Sequence, residues 1–332
     1  MHNKQRLTNI ELLRVISMLM ILVLHTRYNG ILSVYGDTIN LNVFLQFLFE
    51  AISIVGVNIF ILISGYFGIS LKRKSICNLL FEIYFYGIVG LIGWMVVQQT
   101  LHVETRYFMK ALLPISQTVW FIPNYILLML FSPMLNAFCE KYSGKQLLYF
   151  TLCLYIVSYT WTNVIQGTIN GFGGYSWGWF LILYLTGRFI RHWSDKSQYR
   201  KNYCLLGYII STVFIVAIAL VQNYLPIGRS LIWSYDFPVI YISSVCLFMY
   251  FIRLEIRYNK FVNWLAASSF AVLLFHVAPF AGYNRINQFI YENYSGGGIY
   301  YLLVAIIVMS YYMIATLVDQ LRIFIFRKIY KS

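Results

Sequence analysis

The sequence is built from uninterrupted apolar runs of helix length, separated by short polar or basic segments. About 20 apolar residues cross a bilayer as a helix. On that scale ten runs qualify, approximately Ile10 to Thr26, Val43 to Phe67, Ile76 to Gln98, Val119 to Phe138, Leu147 to Asn163, Ser176 to Gly187, Tyr203 to Gln222, Phe237 to Ile252, Trp264 to Ala281 and Ile299 to Val318, the sixth being the shortest. A transmembrane barrel needs shorter, alternating segments, so the expected fold is an all-α, polytopic membrane helical bundle of about ten transmembrane helices. A soluble chain is excluded by charge, because only 11% of residues are Asp, Glu, Lys or Arg against about 25% in soluble domains. With Gly 21, Pro 6 and no glycine period, a disordered or collagen-like chain is excluded too. The first run passes into a charged, aromatic segment without a small-residue cleavage site, so no cleavable signal peptide is expected. No segment repeats another at a fixed period, and residues 1–332 are read as one domain.

Basic residues give the orientation, because Lys and Arg concentrate in cytoplasmic loops. With the amino terminus inside, nineteen fall on the inner side, including Lys4, Arg6, Lys72, Arg73, Lys74, Lys196 and Arg322. Arg27, Arg106, Lys110, Arg229 and Arg285 fall outside, and Arg14 lies within the first run. Both termini are therefore expected in the cytoplasm, which an even span count permits. The net charge of +14 reads as a topology signal, with no nucleic-acid-binding module. Cys77, Cys139 and Cys204 fall on the inner side and Cys153 and Cys246 within spans. Neither a disulfide nor a metal site is expected from them.

Ionisable groups inside a bilayer are costly and tend to face the bundle interior. The first run carries Glu11, Arg14 and His25. Eleven helical residues return to within about 20° of the starting direction, placing Arg14 and His25 on one face roughly 16 Å apart along the axis. Glu11, three residues before Arg14, is in reach of it. Arg14 serves either the site or, by snorkelling, the inner headgroups. Glu50, in the outer half of the second run, is expected near His25, where a carboxylate would fix the imidazole tautomer. Glu82 is expected near the depth of Arg14. In the ninth run Ser269 and His276 share a helical face and are candidates for contacting substrate, His276 otherwise being satisfied by a backbone carbonyl. Lys72, Arg73 and Lys74 form a basic cluster suited to nucleotide phosphates or to anionic lipid. Aromatic residues, Trp120 among them, suit a carbohydrate as well as an interfacial belt.

Four segments taken together resemble the type-3 integral membrane acyltransferases that modify bacterial surface glycans. They are Asn9 to Arg14 running on to His25, Phe60 to Phe67 followed by the basic cluster, Val119 to Ile122 leading to Ser132-Pro133-Met134-Leu135-Asn136, and Ser268 to His276 with Pro279. The arginine, ten residues, histidine spacing of Arg14 and His25 matches the family's first helix. The basic cluster departs from the family's spaced arginines followed by proline, since Ser75-Ile76-Cys77 follows Lys74. The resemblance implies a multi-pass enzyme of the bacterial plasma or inner membrane. It would move an acyl group, commonly acetyl, from cytoplasmic acyl-CoA to a hydroxyl of an extracytoplasmic or lipid-linked glycan. It implies a catalytic role for His25, with Arg14 essential. The expected co-substrate is acyl-CoA with no permanently bound cofactor, and the expected partners are the donor, the glycan acceptor and membrane lipid. His25 would act as general base or carry the acyl group itself. The alternative is a transporter or flippase of a lipid-linked sugar, which the scarcity of intramembrane charge and of repeats disfavours.

Overall fold

The computed structural model describes residues 7–27, 30–36, 38–100, 105, 108–109, 120–142, 144–165, 173–194, 198–225, 227–278, 281–295 and 297–331. Lys4, Arg6, Arg106, Lys110, Val119, Lys196 and Pro279 lie outside them. The regular elements among the described residues are helices, and no strand occurs there. In chain order they are α1 (Thr8–Leu24), α2 (Leu41–Ser53), α3 (Gly56–Phe67), α4 (Arg73–Gln98), α5 (Phe121–Lys141), α6 (Gly144–Tyr159), α7 (Trp177–Ser194), α8 (Lys201–Tyr224), α9 (Pro238–Ile252), α10 (Lys260–Ala267), α11 (Ser269–His276), α12 (Tyr283–Tyr294) and α13 (Gly298–Lys331). A π-helical turn, Thr160–Ile165, continues α6.

Seven helical stretches among the described residues are long and apolar enough to cross a membrane. Of the ten expected runs, three fall short of that standard, and the reason is physical. α1 has 17 residues, α7 carries Arg188, Arg191 and His192 in its second half, and the ninth run is divided at Ser268 into α10 and α11. α1, α7 and α11 are largely interior, so protein rather than lipid surrounds them and polar residues are tolerated there. α1 packs against α2, α3, α9, α10, α11 and α13, with buried residues from Thr8 to Leu22 on several of its faces. At the other extreme, only 6% of the span through α6 and its π turn is buried, against 72% of the span through α2 and α3. The core of the bundle thus combines the lipid-length span of α2 and α3 with the shorter, more polar α1, α7 and α11.

Small residues set how closely that core packs, as is usual where lipid supplies no hydrophobic drive between helices. α3 and α7 meet at Gly65 and Gly187. A Cβ at Gly187 would lie 2.5 Å from the Leu62 carbonyl oxygen, and one at Gly65 would enter the backbone of Tyr184. The second run, expected as one helix, breaks at Ile54 and Val55. Just beyond the break, Gly56 brings α3 so near α1 that a Cβ would stand 2.8 Å from the Ser17 carbonyl oxygen. The last helix exceeds its expected run. At about 1.5 Å per residue the 34 residues of α13 reach beyond a hydrocarbon core of about 30 Å, carrying Asp319 and Arg322 past the expected end at Val318.

Candidate active site

α1 stops at Leu24, and the way it stops fixes His25. The His25 amide donates back to the carbonyls of Ile21 and Leu22, two of the acceptors a helix end leaves open. The Leu22 carbonyl also accepts the Tyr283 hydroxyl of α12 at 2.8 Å, and the Thr26 hydroxyl donates to the Val23 carbonyl at 2.7 Å. His25 is solvent-accessible, whereas Thr26, His276 and Tyr283 beside it are buried. It therefore lines a recess within the bundle rather than the outer wall.

In that recess His25 meets a residue 251 positions away. His25 Nδ1 lies 2.9 Å from His276 Nε2, and the two ring planes are inclined by only 27° with centroids 4.9 Å apart, an end-to-end arrangement. His276 is buried at the end of α11, and its Nδ1 lies 3.1 Å from the Val272 carbonyl oxygen one turn earlier. The backbone-carbonyl partner expected for His276 is thus present, and the contact with His25 comes in addition. Tyr283 presents an edge to His276, with centroids 5.5 Å apart. Tyr311 of α13 packs in turn against Tyr283 and donates its hydroxyl to the Ala281 carbonyl.

Two expected pairings are corrected. Glu50 does not orient His25. Its carboxylate takes the guanidinium of Arg27, which also donates to the Gln46 carbonyl at 2.5 Å. A buried carboxylate needs the nearest cation, and Arg27, with little of its own side chain exposed, supplies a full charge that a neutral imidazole does not. Glu82 does not pair with Arg14 either. It lies 3.5 Å from Arg322, which is held by Asp319 at 2.5 and 3.2 Å and donates to Asn78 at 3.1 Å. Arg14 keeps its expected local contact, with Glu11 at 3.5 Å.

The remaining candidates are spread across the bundle. The Ser269 hydroxyl is buried against that of Tyr312 at 2.9 Å. Trp120, half-buried where α5 begins, stands among Tyr175, Phe180 and Tyr235 with centroids 4.6 to 5.7 Å away. The next residue, Phe121, reaches Phe270 of α11. Lys72, Arg73 and Lys74 are exposed at the start of α4, Lys74 lying over the Tyr330 ring.

The segment leading into that cluster is anchored from two helices. Asn136 of α5 donates to the Ile69 carbonyl at 2.9 Å, and the Tyr184 hydroxyl of α7 donates to Asn136 at 2.7 Å while accepting from the Ile69 amide at 3.0 Å. Gly68, at φ 75°, makes the turn that L side chains resist. On the amino-terminal side of α1 a cleft of about 700 Å³ opens, bordered by Thr8, Asn9, Arg253, Glu255, Arg257 and Tyr258. No group of three His, Cys, Asp or Glu residues placed to hold a metal occurs among the described residues.

Sequence reasoning identified both histidines but not their meeting, and it missed Arg27, Tyr283 and Asp319. Charge balance was the available signal for Arg27, since a buried Glu50 requires a cation at its own depth. An accessible imidazole with one ring nitrogen held by a buried partner can accept a proton at the other. No curated protein and no solved structure matches the chain. A family model described as an acyltransferase domain matches residues 7–318. With that match running from the start of α1 to within α13, through every helix described above, the chain belongs to the type-3 acyltransferase family and is an acyl-transferring enzyme.

Proposed function

We propose that the enzyme moves an acyl group, acetyl in the first instance, from acyl-CoA on the cytoplasmic side to a hydroxyl of an extracytoplasmic or lipid-linked glycan. The observation that carries this reading is the accessible His25 ring in its recess, one nitrogen held by His276 and the other open. The sequence's division of basic residues, nineteen expected inside against five outside, supports an orientation with both termini in the cytoplasm, and we take the membrane to be a bacterial plasma membrane. In that orientation the recess lies toward the outer leaflet.

The donor's nucleotide would approach the basic end, where Lys72, Arg73 and Lys74 stand, and its pantetheine arm would pass between helices toward His25. Arg14, one-third exposed and on the His25 face, lies along that path. His25 takes the proton of the acceptor hydroxyl as its oxygen attacks the thioester carbon. A carbon–oxygen bond forms, the carbon–sulfur bond breaks, and the departing thiolate takes the proton from the imidazolium. Aromatic residues, Trp120 among them, would offer the sugar its stacking faces, with Ser269 and His276 on the helix beside the recess.

The test incubates membranes containing the chain with isotopically labelled acetyl-CoA and the host's surface glycan, with mass analysis of the product. Native membranes should add one acetyl mass per modified site, and His25→Ala at matched expression should lose activity by at least about 10²-fold, the low end of a general base's contribution. Full activity in His25→Ala, or no dependence on acetyl-CoA, would overturn the reading.

A further inference from the structure

We propose that His276 is a positioning residue that holds His25 in the tautomer whose Nε2 is free to take a proton. This rests on the reading of His25 as the base. His276 Nδ1 lies 3.1 Å from the Val272 carbonyl oxygen, and a carbonyl only accepts, so Nδ1 carries the proton. A neutral imidazole protonated at Nδ1 has its lone pair at Nε2. That lone pair faces His25 Nδ1 at 2.9 Å, and two nitrogens at this distance share one proton, which His25 must supply. With Nδ1 of His25 protonated, its Nε2 is the basic atom, as the reaction requires.

The surroundings leave this assignment uncontested. From α12, Tyr283 turns a ring edge to His276 and commits its hydroxyl to the Leu22 carbonyl. From α13, the Tyr311 hydroxyl goes to Ala281, and Phe275 beside His276 meets Tyr311 and the ring of Tyr86 from α4. The Arg27–Glu50 ion pair begins two residues past His25, and the Arg27 guanidinium is committed to Glu50 and the Gln46 carbonyl. No carboxylate contacts either imidazole among the described residues. The part a carboxylate plays beside other catalytic histidines falls here to a second ring backed by a helix carbonyl. When the acceptor's proton reaches His25 Nε2, the Nδ1 proton remains bonded to His276, and the ring keeps its direction until the thiolate takes the new proton away.

Two substitutions separate this from a packing role. Leucine at 276 is apolar and fills much of the space but accepts nothing, whereas glutamine places a carbonyl oxygen near the former Nε2. His276→Leu should lower kcat by about 10²-fold or more with the KM for donor and acceptor little changed. His276→Gln should recover at least about tenfold of that loss. The reverse ranking, leucine active and glutamine inactive, would overturn the proposal in favour of packing.

Nitrogen-15 spectra of histidine-labelled protein in membranes read the tautomer directly and need no activity. His25, assigned by its loss in His25→Ala, should show a protonated Nδ1 and a bare Nε2, and His276→Leu should abolish that preference. A protonated Nε2 at His25 in the parent protein would overturn the proposal even if His276→Leu fails to fold. Full activity in His276→Leu beside an inactive His25→Ala would overturn the positioning role while leaving the base in place. An active His25→Ala would instead remove the base reading itself.

Discussion

The pair at the end of α1 and the cluster joining α4 to α13 are both polar assemblies inside an apolar bundle, yet they are built on opposite plans. Around Arg322 the ionic groups are buried, two carboxylates to one guanidinium. Asp319 grips the guanidinium from one side, Glu82 and Asn78 approach from the other, and the three ionic residues are almost wholly buried. Against the two imidazoles, among the described residues, stand only each other and a backbone carbonyl, with His25 open to solvent and the Arg27–Glu50 pair set two residues further along the chain. A buried ionic set that joins α4 to α13 holds the two helices in register. An open neutral pair keeps one nitrogen uncommitted, which chemistry requires. The two are linked by one stripe of α4, since Asn78, Glu82 and Tyr86 recur at helical spacing and Tyr86 turns its ring to Phe275 beside His276.

The largest effect should come from breaking the buried cluster. Arg322→Leu strands Asp319 and Glu82 without their cation, and removing one partner of a buried ionic group costs about 3–5 kcal/mol. Thermal unfolding in detergent should fall steeply, with activity lost in proportion to folded protein. Replacing the whole set by apolar residues, Glu82→Leu with Asp319→Leu and Arg322→Met, should restore most of the stability and the activity with it. A triple variant that folds well yet remains inactive would break the comparison, because the cluster would then take part in the reaction.

How much of this was legible in the sequence follows from the range of the interactions. The apolar runs announced the helices, because lipid demands length and composition that any reader can count. Glu11 with Arg14 was legible because three helical residues suffice to connect them. His25 with His276 was not, because nothing local in either helix says which other helix lies opposite. The same gap misassigned Glu50 and Glu82. Each was matched to a group at a similar depth, whereas Glu50 met Arg27, two residues past His25, and packing of α4 against α13 offered Arg322. The break at Ile54 and Val55 was hidden because both residues are as apolar as the run around them.

A smaller effect should follow from loosening the segment that holds His25 from beyond. Glu50 fixes Arg27, and Arg27 lies two residues after the base. Glu50→Gln leaves a buried guanidinium without its counter-charge, and the displaced segment should lower kcat about tenfold, equivalent to about 1.4 kcal/mol. Because Glu50 acts through Arg27, the double variant Glu50→Gln with Arg27→Gln should be no worse than the single, the non-additivity expected of residues in contact. Additive losses would mean that Glu50 reaches the site by another route and would reopen its expected role beside His25.

The smallest effect concerns Arg14, which shares features of both assemblies. Like Arg322 it has a carboxylate neighbour, but the contact with Glu11 is single, at 3.5 Å, and one-third of the side chain is exposed. Like His25 it therefore retains unused bonding capacity, on the same helical face and roughly 16 Å lower. If that capacity grips the donor, the planar fork matters and lysine is a poor substitute, because an ammonium keeps the charge but loses the paired donors. If Arg14 only reaches headgroups, lysine serves as well as arginine. The expected outcome at matched expression is a rise of about threefold to tenfold in the KM for acyl-CoA in Arg14→Lys, up to about 1.4 kcal/mol. Arg14→Ala should show a somewhat larger rise, with the KM for the glycan unchanged in both. Native kinetics in the lysine variant would group Arg14 with the structural ions and leave the histidine pair as the site's own chemistry.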